Sequence, residues 1–466
     1  MKNNKILILL GFMLVPMLAS AQNWTWDDTF LPDTANTSDN FLEVHGVAVD
    51  PDGKVWIQPF SATETIITAR DGNNGDPDTL STRVVYIYNA DGTPASFSPL
   101  SVIEYADGTT PNDTLGRVWT GTAYEGYSGR GIETSIADGN IIISQFNRVY
   151  KIDYKTGEGL AKVDPTIGCS LGEASTDAAG NIYVGCVVGA DSPIYKYDSN
   201  LANEEELVTI TGSFSRDLQV SADGNTIWWA GYTLGAVLKY TRPDEFSGFN
   251  AVPDTVLRGI RAESFDIHPR TSYLWVGAGS LNDVPGVPYN PQTWYAFDYA
   301  TLGTASEEPL DSIRWAAGGR NAEFAEEFDA GRPRALDFNA EGDVAYVGVF
   351  SGGDTDVDLQ KFTTTQVFTS IDDNISSVPK GFKLDQNYPN PFNPTTNINY
   401  TLDQAGLVTL KVYDITGREV ATLVNARENA GQHTVTFDAT NLASGVYIYT
   451  LQSNGVRLTN RMTLIK

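Results

Sequence analysis

The sequence predicts an all-β protein in two parts, a ring of small sheets followed by a small β-sandwich, and three observations carry the prediction. Between Gln22 and about Ser370 one hairpin recurs: an apolar strand, a tight turn rich in Asp and Gly, and a second strand of β-branched and aromatic residues. A further short strand follows each hairpin. From Phe382 onward, apolar and polar residues alternate in short runs separated by turns that carry Gly or Asn.

The elements follow in chain order. Lys2 and Lys5 precede an apolar run over residues 6–18, and Ala19, Ser20 and Ala21 form a small-residue cleavage site, the pattern of a secretory signal peptide over residues 1–21. No later stretch approaches the ~20 apolar residues of a membrane span, so the mature chain is expected to carry none. Residues 24–30 read as a strand free to join the last sheet of the ring, which must close or expose sheet edges.

The hairpins occupy residues 46–57, 133–143, 173–184, 217–229, 264–276 and 335–347, and the third strands 84–88, 149–153, 194–198, 237–240, 294–298 and 359–362. Turn glycines 139, 180 and 224 stand 41 and 44 residues apart (180 − 139 and 224 − 180), close to the ~40 to 45 residues of a four-stranded propeller blade. Wider gaps are absorbed by loops at 68–81 and 279–292. Residues 22–368 therefore read as a six-bladed β-propeller, which resembles the broad class of NHL and SMP-30-like repeat proteins. Residues 369–380 have no apolar period and read as a linker.

In the last part, strands are expected over 407–413, 433–437 and 446–451, with turns at 414–417, 429–431, 443–445 and 453–455, giving a small immunoglobulin-like β-sandwich over 381–466. Pro389, Pro391 and Pro394 lack amide donors, so residues 388–394 should lie beside the sheet in an extended segment. Five segments stand here in order: residues 387–396 (NYPNPFNPTT), 412–420 (VYDITGREV), 430–438 (AGQHTVTFD), 442–449 (LASGVYIY) and 461–466 (RMTLIK). The series resembles the C-terminal sorting domain of the type IX secretion system of Bacteroidetes-like bacteria. The resemblance implies that residues 381–466 engage the secretion machinery, and that the chain passes through the periplasm to the cell surface or the medium. In that family the tail is often removed on export.

Composition bounds the partners. A formal charge of −27 and a pI near 4.3 exclude nucleic acid and anionic lipid, which need a basic footprint. Cys169 and Cys186 flank and enter one predicted hairpin in a chain bound for an oxidising compartment, which favours one disulfide over the alternative of two buried thiols. His45, His268 and His433 show no metal-ligand spacing. Two acidic loops offer oxygen ligands for calcium, Asp71, Asn73, Asp76 and Asp78 in one and residues 354–358 in the other, but without the EF-hand spacing the ordinary solvated loop is the favoured reading. No other cofactor is expected.

In a propeller the first strand of each blade lines the central channel. Counting back from each turn, the channel mouth receives His45, Glu133, Glu173, Arg216, Asp217, Glu263 and Arg334, with Arg130 and Arg261 close by. Such a ring is either a polar site for a ligand or an ion-pair network that seals a wet channel. SMP-30-like lactonases hold a metal with an axial carboxylate plus Asn and Asp side chains; Glu133, Glu173 and Glu263 supply carboxylates here, but no asparagine accompanies them. Residues 221–228 are similar to a sialidase Asp-box, with the glycine one position early and no copy in the other blades, and Asp-Gly favours a hairpin turn by itself. No His-Glu-x-x-His or phosphate loop occurs. The function that follows is a secreted or surface-held binding and interaction module for an extracellular ligand. The alternative is a secreted hydrolase of a glycan or lactone that uses Glu133, Glu173 and Glu263.

Overall fold

Six small antiparallel sheets stand around a common axis in the computed structural model of the chain, and a separate two-sheet unit follows them in sequence. The structure describes residues 23–466 except 28, 32–43, 61–63, 68–78, 120–123, 167, 188–191, 211–213, 272, 280–288, 304–306, 316–330, 351–358, 367, 369–382, 385, 403–405, 415–417, 429–430 and 454–455. The expected signal peptide, the linker and both calcium-candidate loops, with Asp71, Asn73, Asp76 and Asp78, lie outside the described residues. No helix is present among the described residues, and so none long and apolar enough to cross a membrane.

Each sheet begins with the predicted hairpin. The inner strands are Val44–Val49, Gly129–Thr134, Ser175–Thr176, Leu218–Val220, Ser264–Ile267 and Arg332–Phe338, and each pairs with the strand that follows it. Turn chemistry explains the repeat. Gly53, Gly139, Gly180, Gly224 and Gly342 take φ between +69° and +83°, a conformation that costs glycine little. Asp50 Oδ1 accepts hydrogen bonds from the backbone N–H of Asp52 and Lys54, and Asp177 Oδ1 does the same for Ala179 and Asn181.

Burial closes the ring. Six apolar clusters each join two neighbouring sheets: Trp56 with Ile132, Ile142 with Val184, Tyr183 with Trp229, Trp228 with Phe265, Trp275 with Val347, and Tyr346 with Val47. The last of these brings the sixth sheet against the first. Five tryptophans in these seams, Trp56, Trp228, Trp229, Trp275 and Trp294, are fully buried, and aromatic burial of this size dominates the packing energy. The strand Trp24–Asp27 completes the closure as expected: it pairs antiparallel with Leu359–Thr364, Trp26 opposite Phe362, as the outer strand of the sixth sheet. Trp24 packs on Trp275 and Phe338 and donates its indole N–H to Asp311 Oδ2 at 3.1 Å.

Cys169 and Cys186 are bonded, their Cα atoms 5.8 Å apart.

In the C-terminal unit, Lys383–Leu384, Thr395–Leu402 and Gly431–Asp438 form one sheet, and Glu419–Glu428, Gly406–Asp414, Gly445–Ser453 and Val456–Leu464 the other. Inward residues Ile398, Tyr400, Val408, Leu410, Val412, Tyr449, Leu451 and Met462 fill the space between them. The proline-rich stretch lies beside the strands. Asn387 is buried, accepts at Oδ1 from Gln386 Nε2 (2.7 Å), and binds through Nδ2 to Thr396 Oγ1 (2.9 Å) and Pro389 O (3.0 Å), while its N–H donates to the Tyr449 hydroxyl (2.8 Å). Phe392 inserts into the core and bridges to Leu464.

Candidate functional site

The residues expected at the axis separate into two layers of different chemistry. The upper layer is made by irregularities in the inner strands. In three of the six, the register slips by one residue near the strand's start, between Val44 and Gly46, between Gly129 and Gly131, and between Pro333 and Ala335. The extra residues are His45, Arg130 and Arg334. A bulge leaves its extra residue out of the ladder and re-aims its side chain, and these three strands are neighbours around the ring. The N–H of Gly131 beside one bulge donates to Gln58 Oε1 at 2.7 Å. At Gly131, with φ +152°, a Cβ would stand 2.5 Å from Cβ of Glu173, so only glycine lets the two sheets approach here.

Aromatic rings hold the cations in place. The Arg130 guanidinium lies 5.6 Å from the ring centres of both Phe60 and Phe146, Arg216 4.2 Å from Phe214, Arg334 5.1 Å from Phe350, and Arg261 and Arg332 5.6 and 5.7 Å from Tyr232. His45 stacks on Phe60 and meets Phe350 edge-on. Glu263, 1% exposed, is the counter-charge: its Oε2 stands 2.5 Å from Arg334 Nε, in an ion pair poorly aligned for a hydrogen bond, and its Oε1 is 3.8 Å from Arg332 Nε.

Burial and mutual repulsion weaken the hold of these arginines on their protons. Desolvation first, then the charge of Arg334, push Arg130 down to about 10 and Arg216 to about 9. His45, 4% exposed, is pushed far below the usual imidazole range by burial and then by Arg334, Arg130 and Arg216; it is neutral.

The lower layer is acidic, and three of its carboxylates bind across to the next sheet. Glu133 Oε1 accepts from the N–H and hydroxyl of Thr176 (3.1 and 3.2 Å), Asp217 Oδ2 from the N–H of Phe265 (2.5 Å), and Asp337 Oδ2 from the N–H of Val49 (2.6 Å). Each bond joins one inner strand to the next. Ser175 Oγ takes the same role toward the N–H of Val220 (3.1 Å). Burial is the largest influence on every acid in this layer: it raises Asp217 to about 8 and Asp337 to about 7, and moves Glu133, Glu173 and Asp266 well above the carboxylate range, with the neighbouring acids adding to the rise in those three.

Sequence reasoning placed all nine candidates in one ring at the mouth; the structure puts His45, Arg130, Arg216, Arg261, Glu263 and Arg334 in the aromatic layer and Glu133, Glu173 and Asp217 in the acidic one. It adds Arg332, Asp266 and Asp337, which the count from the turns passed over. The aromatic partners carry a readable signal, since Phe60, Phe146 and Tyr232 each directly follow the second strand of a hairpin and Phe350 ends one. His268 sits elsewhere, its Nε2 2.9 Å from the Gly342 carbonyl and its pKa lowered to about 4 by burial. Among the described residues no group of three or more His, Cys, Asp or Glu is placed to hold a metal ion.

Residues 386–466 match the family described as Secretion system C-terminal sorting domain. That domain marks proteins exported by the type IX secretion system to the cell surface or outside the cell, and this chain is exported by that route. Among curated proteins none matches. Two solved structures are similar to this chain at low identity: a luciferin-regenerating enzyme (10% identity, 71% of this chain and 94% of that one, TM-score 0.43) and a calcium-binding protein, regucalcin, from Agrobacterium tumefaciens (11% identity, 69% and 90%, TM-score 0.41). At this level neither bears on a ligand, and the closed ring rests on the seams and inter-sheet hydrogen bonds given above.

Proposed function

We propose that this exported chain is a binding module whose extracellular ligand enters the mouth of the ring at the arginine and aromatic layer. The observation that carries the reading is the set of three bulges in adjacent inner strands, which deliver His45, Arg130 and Arg334 to one level of the axis beside Arg216. Burying several cations together costs stability, and a fold that needed only to seal its channel gains nothing from it. The sorting domain brings the module to the cell surface, where contact with a soluble or surface-bound ligand is available.

The hydrolase reading draws support from one feature, the protonated carboxyl groups of Glu133 and Glu173 below the mouth, since a buried neutral acid is suited to proton donation. Against it stand the hydrogen bonds that occupy Glu133 and the ion pair that occupies Glu263. The test compares the full chain with Arg216→Ala and Glu173→Gln variants, for capture of glycans on an array and for turnover of glycan and lactone substrates. The binding reading expects capture, lost in Arg216→Ala and kept in Glu173→Gln, with no turnover. Turnover lost in Glu173→Gln, with the fold intact by circular dichroism, would replace it with the hydrolase.

A further inference from the structure

Three inward guanidinium groups, Arg130, Arg216 and Arg334, share the mouth of the axis with one carboxylate among the described residues, Glu263, in a chain whose overall charge is −27. Arg130 and Arg216 have no ion pair among the described residues; Arg130 faces aromatic rings and the other cations, and Arg216 a ring, the other cations and, without an ion pair, the charge of Glu263. Their Nε atoms are buried without a hydrogen-bond partner, as is Nη2 of Arg334, a side chain 2% exposed. A guanidinium N–H left without an acceptor forfeits a charge-assisted hydrogen bond and pays its desolvation.

His45 adds a donor to this set. Arg334 Nη1 stands 3.1 Å from His45 Nε2. A guanidinium can only donate, so Nε2 is the acceptor of the neutral ring and the proton resides on Nδ1. Nδ1 is buried and has no aligned partner. Each of the four groups at this level therefore keeps at least one donor atom without a hydrogen-bond acceptor among the described residues, and they come from inner strands and the segment before one.

We infer that the mouth of the axis binds an oxyanion, a carboxylate, sulfate or phosphate group of the ligand, held by Arg130, Arg216, Arg334 and Nδ1 of His45. The inference deepens the binding reading and rests on it. Donors on several sheets fix the anion from different sides, and the flat faces of the arginines are already covered by Phe60, Phe146, Phe214 and Phe350, so the edges that carry the N–H groups are what remain for the ligand. Glu263 holds Arg334 in place, and three guanidinium groups against this one carboxylate among the described residues leave the level net positive.

The experiment titrates the full chain calorimetrically with sodium citrate, sodium sulfate and inorganic phosphate at constant ionic strength, beside an array of neutral oligosaccharides. The variants are Arg130→Gln, Arg216→Gln and the charge-preserving Arg216→Lys. The expected result is saturable one-site binding of at least one anion, weakened about tenfold or more in each Gln variant and partly retained in Arg216→Lys, as loss of a charge-assisted contact predicts. Retained tryptophan fluorescence and melting temperature show that a variant is folded, and Arg216→Lys keeps the test decisive if a Gln variant is not. Saturable binding that the Gln variants leave unchanged overturns the inference, as does the absence of binding of all three anions. A neutral oligosaccharide that binds and is lost in Arg216→Gln would overturn the oxyanion while leaving the binding module standing; no binding in either arm removes both.

Discussion

Raising the pH from 7 to 9 should destabilise the ring, because its buried acids keep their protons when the chain is folded and lose them when it unfolds. Asp217 is held at about 8 and Asp337 at about 7, against an ordinary value of 3.8, with burial the main cause in both. The folded state binds more protons than the unfolded one over this range, so stability falls as pH rises toward and through the folded values and is greatest below them. Between pH 7 and 9 the loss from Asp217 is on the order of 1 kcal/mol, and Asp337 adds a fraction of that. Glu133, Glu173 and Asp266 lie well above the carboxylate range and add to the same direction. His45 and His268, lowered by burial, act in the opposite sense, chiefly between their folded values and about 6.5, which is why the window begins at 7, and Arg216, lowered to about 9, opposes the loss only near the top of the window. A net loss of about 2 kcal/mol corresponds to a fall of ~4 °C in Tm for a unit of this size. All nine tryptophans precede residue 316, so intrinsic fluorescence reports the ring and not the C-terminal unit. Asp217→Asn, whose amide oxygen still accepts the Phe265 N–H, should flatten the profile and melt above the parent protein at pH 9. A Tm that is level or rises from pH 7 to 9 would refute the reasoning.

Other perturbations have equally definite outcomes. Trp24→Ala removes a buried indole that packs on Trp275 and Phe338 and strips Asp311 of a donor; a loss of about 3–5 kcal/mol in denaturant unfolding is expected. Cys169→Ser opens the link between residues 17 apart and should cost about 3 kcal/mol, read as a lower Tm that matches the reduced parent protein. Asn387→Ala leaves the N–H to Tyr449 but removes the side-chain bonds to Thr396 and Pro389 in a buried position; the C-terminal unit should lose about 1–3 kcal/mol, followed by circular dichroism on the full chain in denaturant, while the tryptophan transition stays where it was.

The sheet count, the turns and the closing strand were legible because each rests on local chemistry that repeats. Asp or Ser at the turn's start and Gly at positive φ recur at matched positions, and the fifth hairpin, with Pro269 and Arg270 in place of a glycine turn, was still found from its flanking strands. The C-terminal strands showed themselves by alternation, and the sorting motifs by their order. The axis was legible only in outline. A bulge is a slip of one residue against a partner strand, and nothing in a single strand's alternation marks which residue leaves the ladder; His45, Arg130 and Arg334 were therefore placed at the mouth without a reason for their common height. Asp266 and Asp337 lie deeper in their strands, at Asp-Ile-His and Asp-Phe-Asn, and the signal missed was a carboxylate set between two apolar residues late in each strand. Separation of the ring into cationic and acidic layers depends on which backbone N–H of the next sheet each acid meets, and that is a property of the closed ring alone.

Closure of the ring is what brings these side chains to one axis, and a single cross-link tests it. Thr25 and Thr363 stand opposite each other in register, 338 residues apart in sequence (363 − 25). In a Thr25→Cys, Thr363→Cys chain oxidised while folded, peptide mass mapping should find these two cysteines joined, with Cys169 still joined to Cys186 and the ring's Tm raised. Free thiols at both positions in the folded, oxidised protein would contradict the closed ring and, with it, the shared mouth.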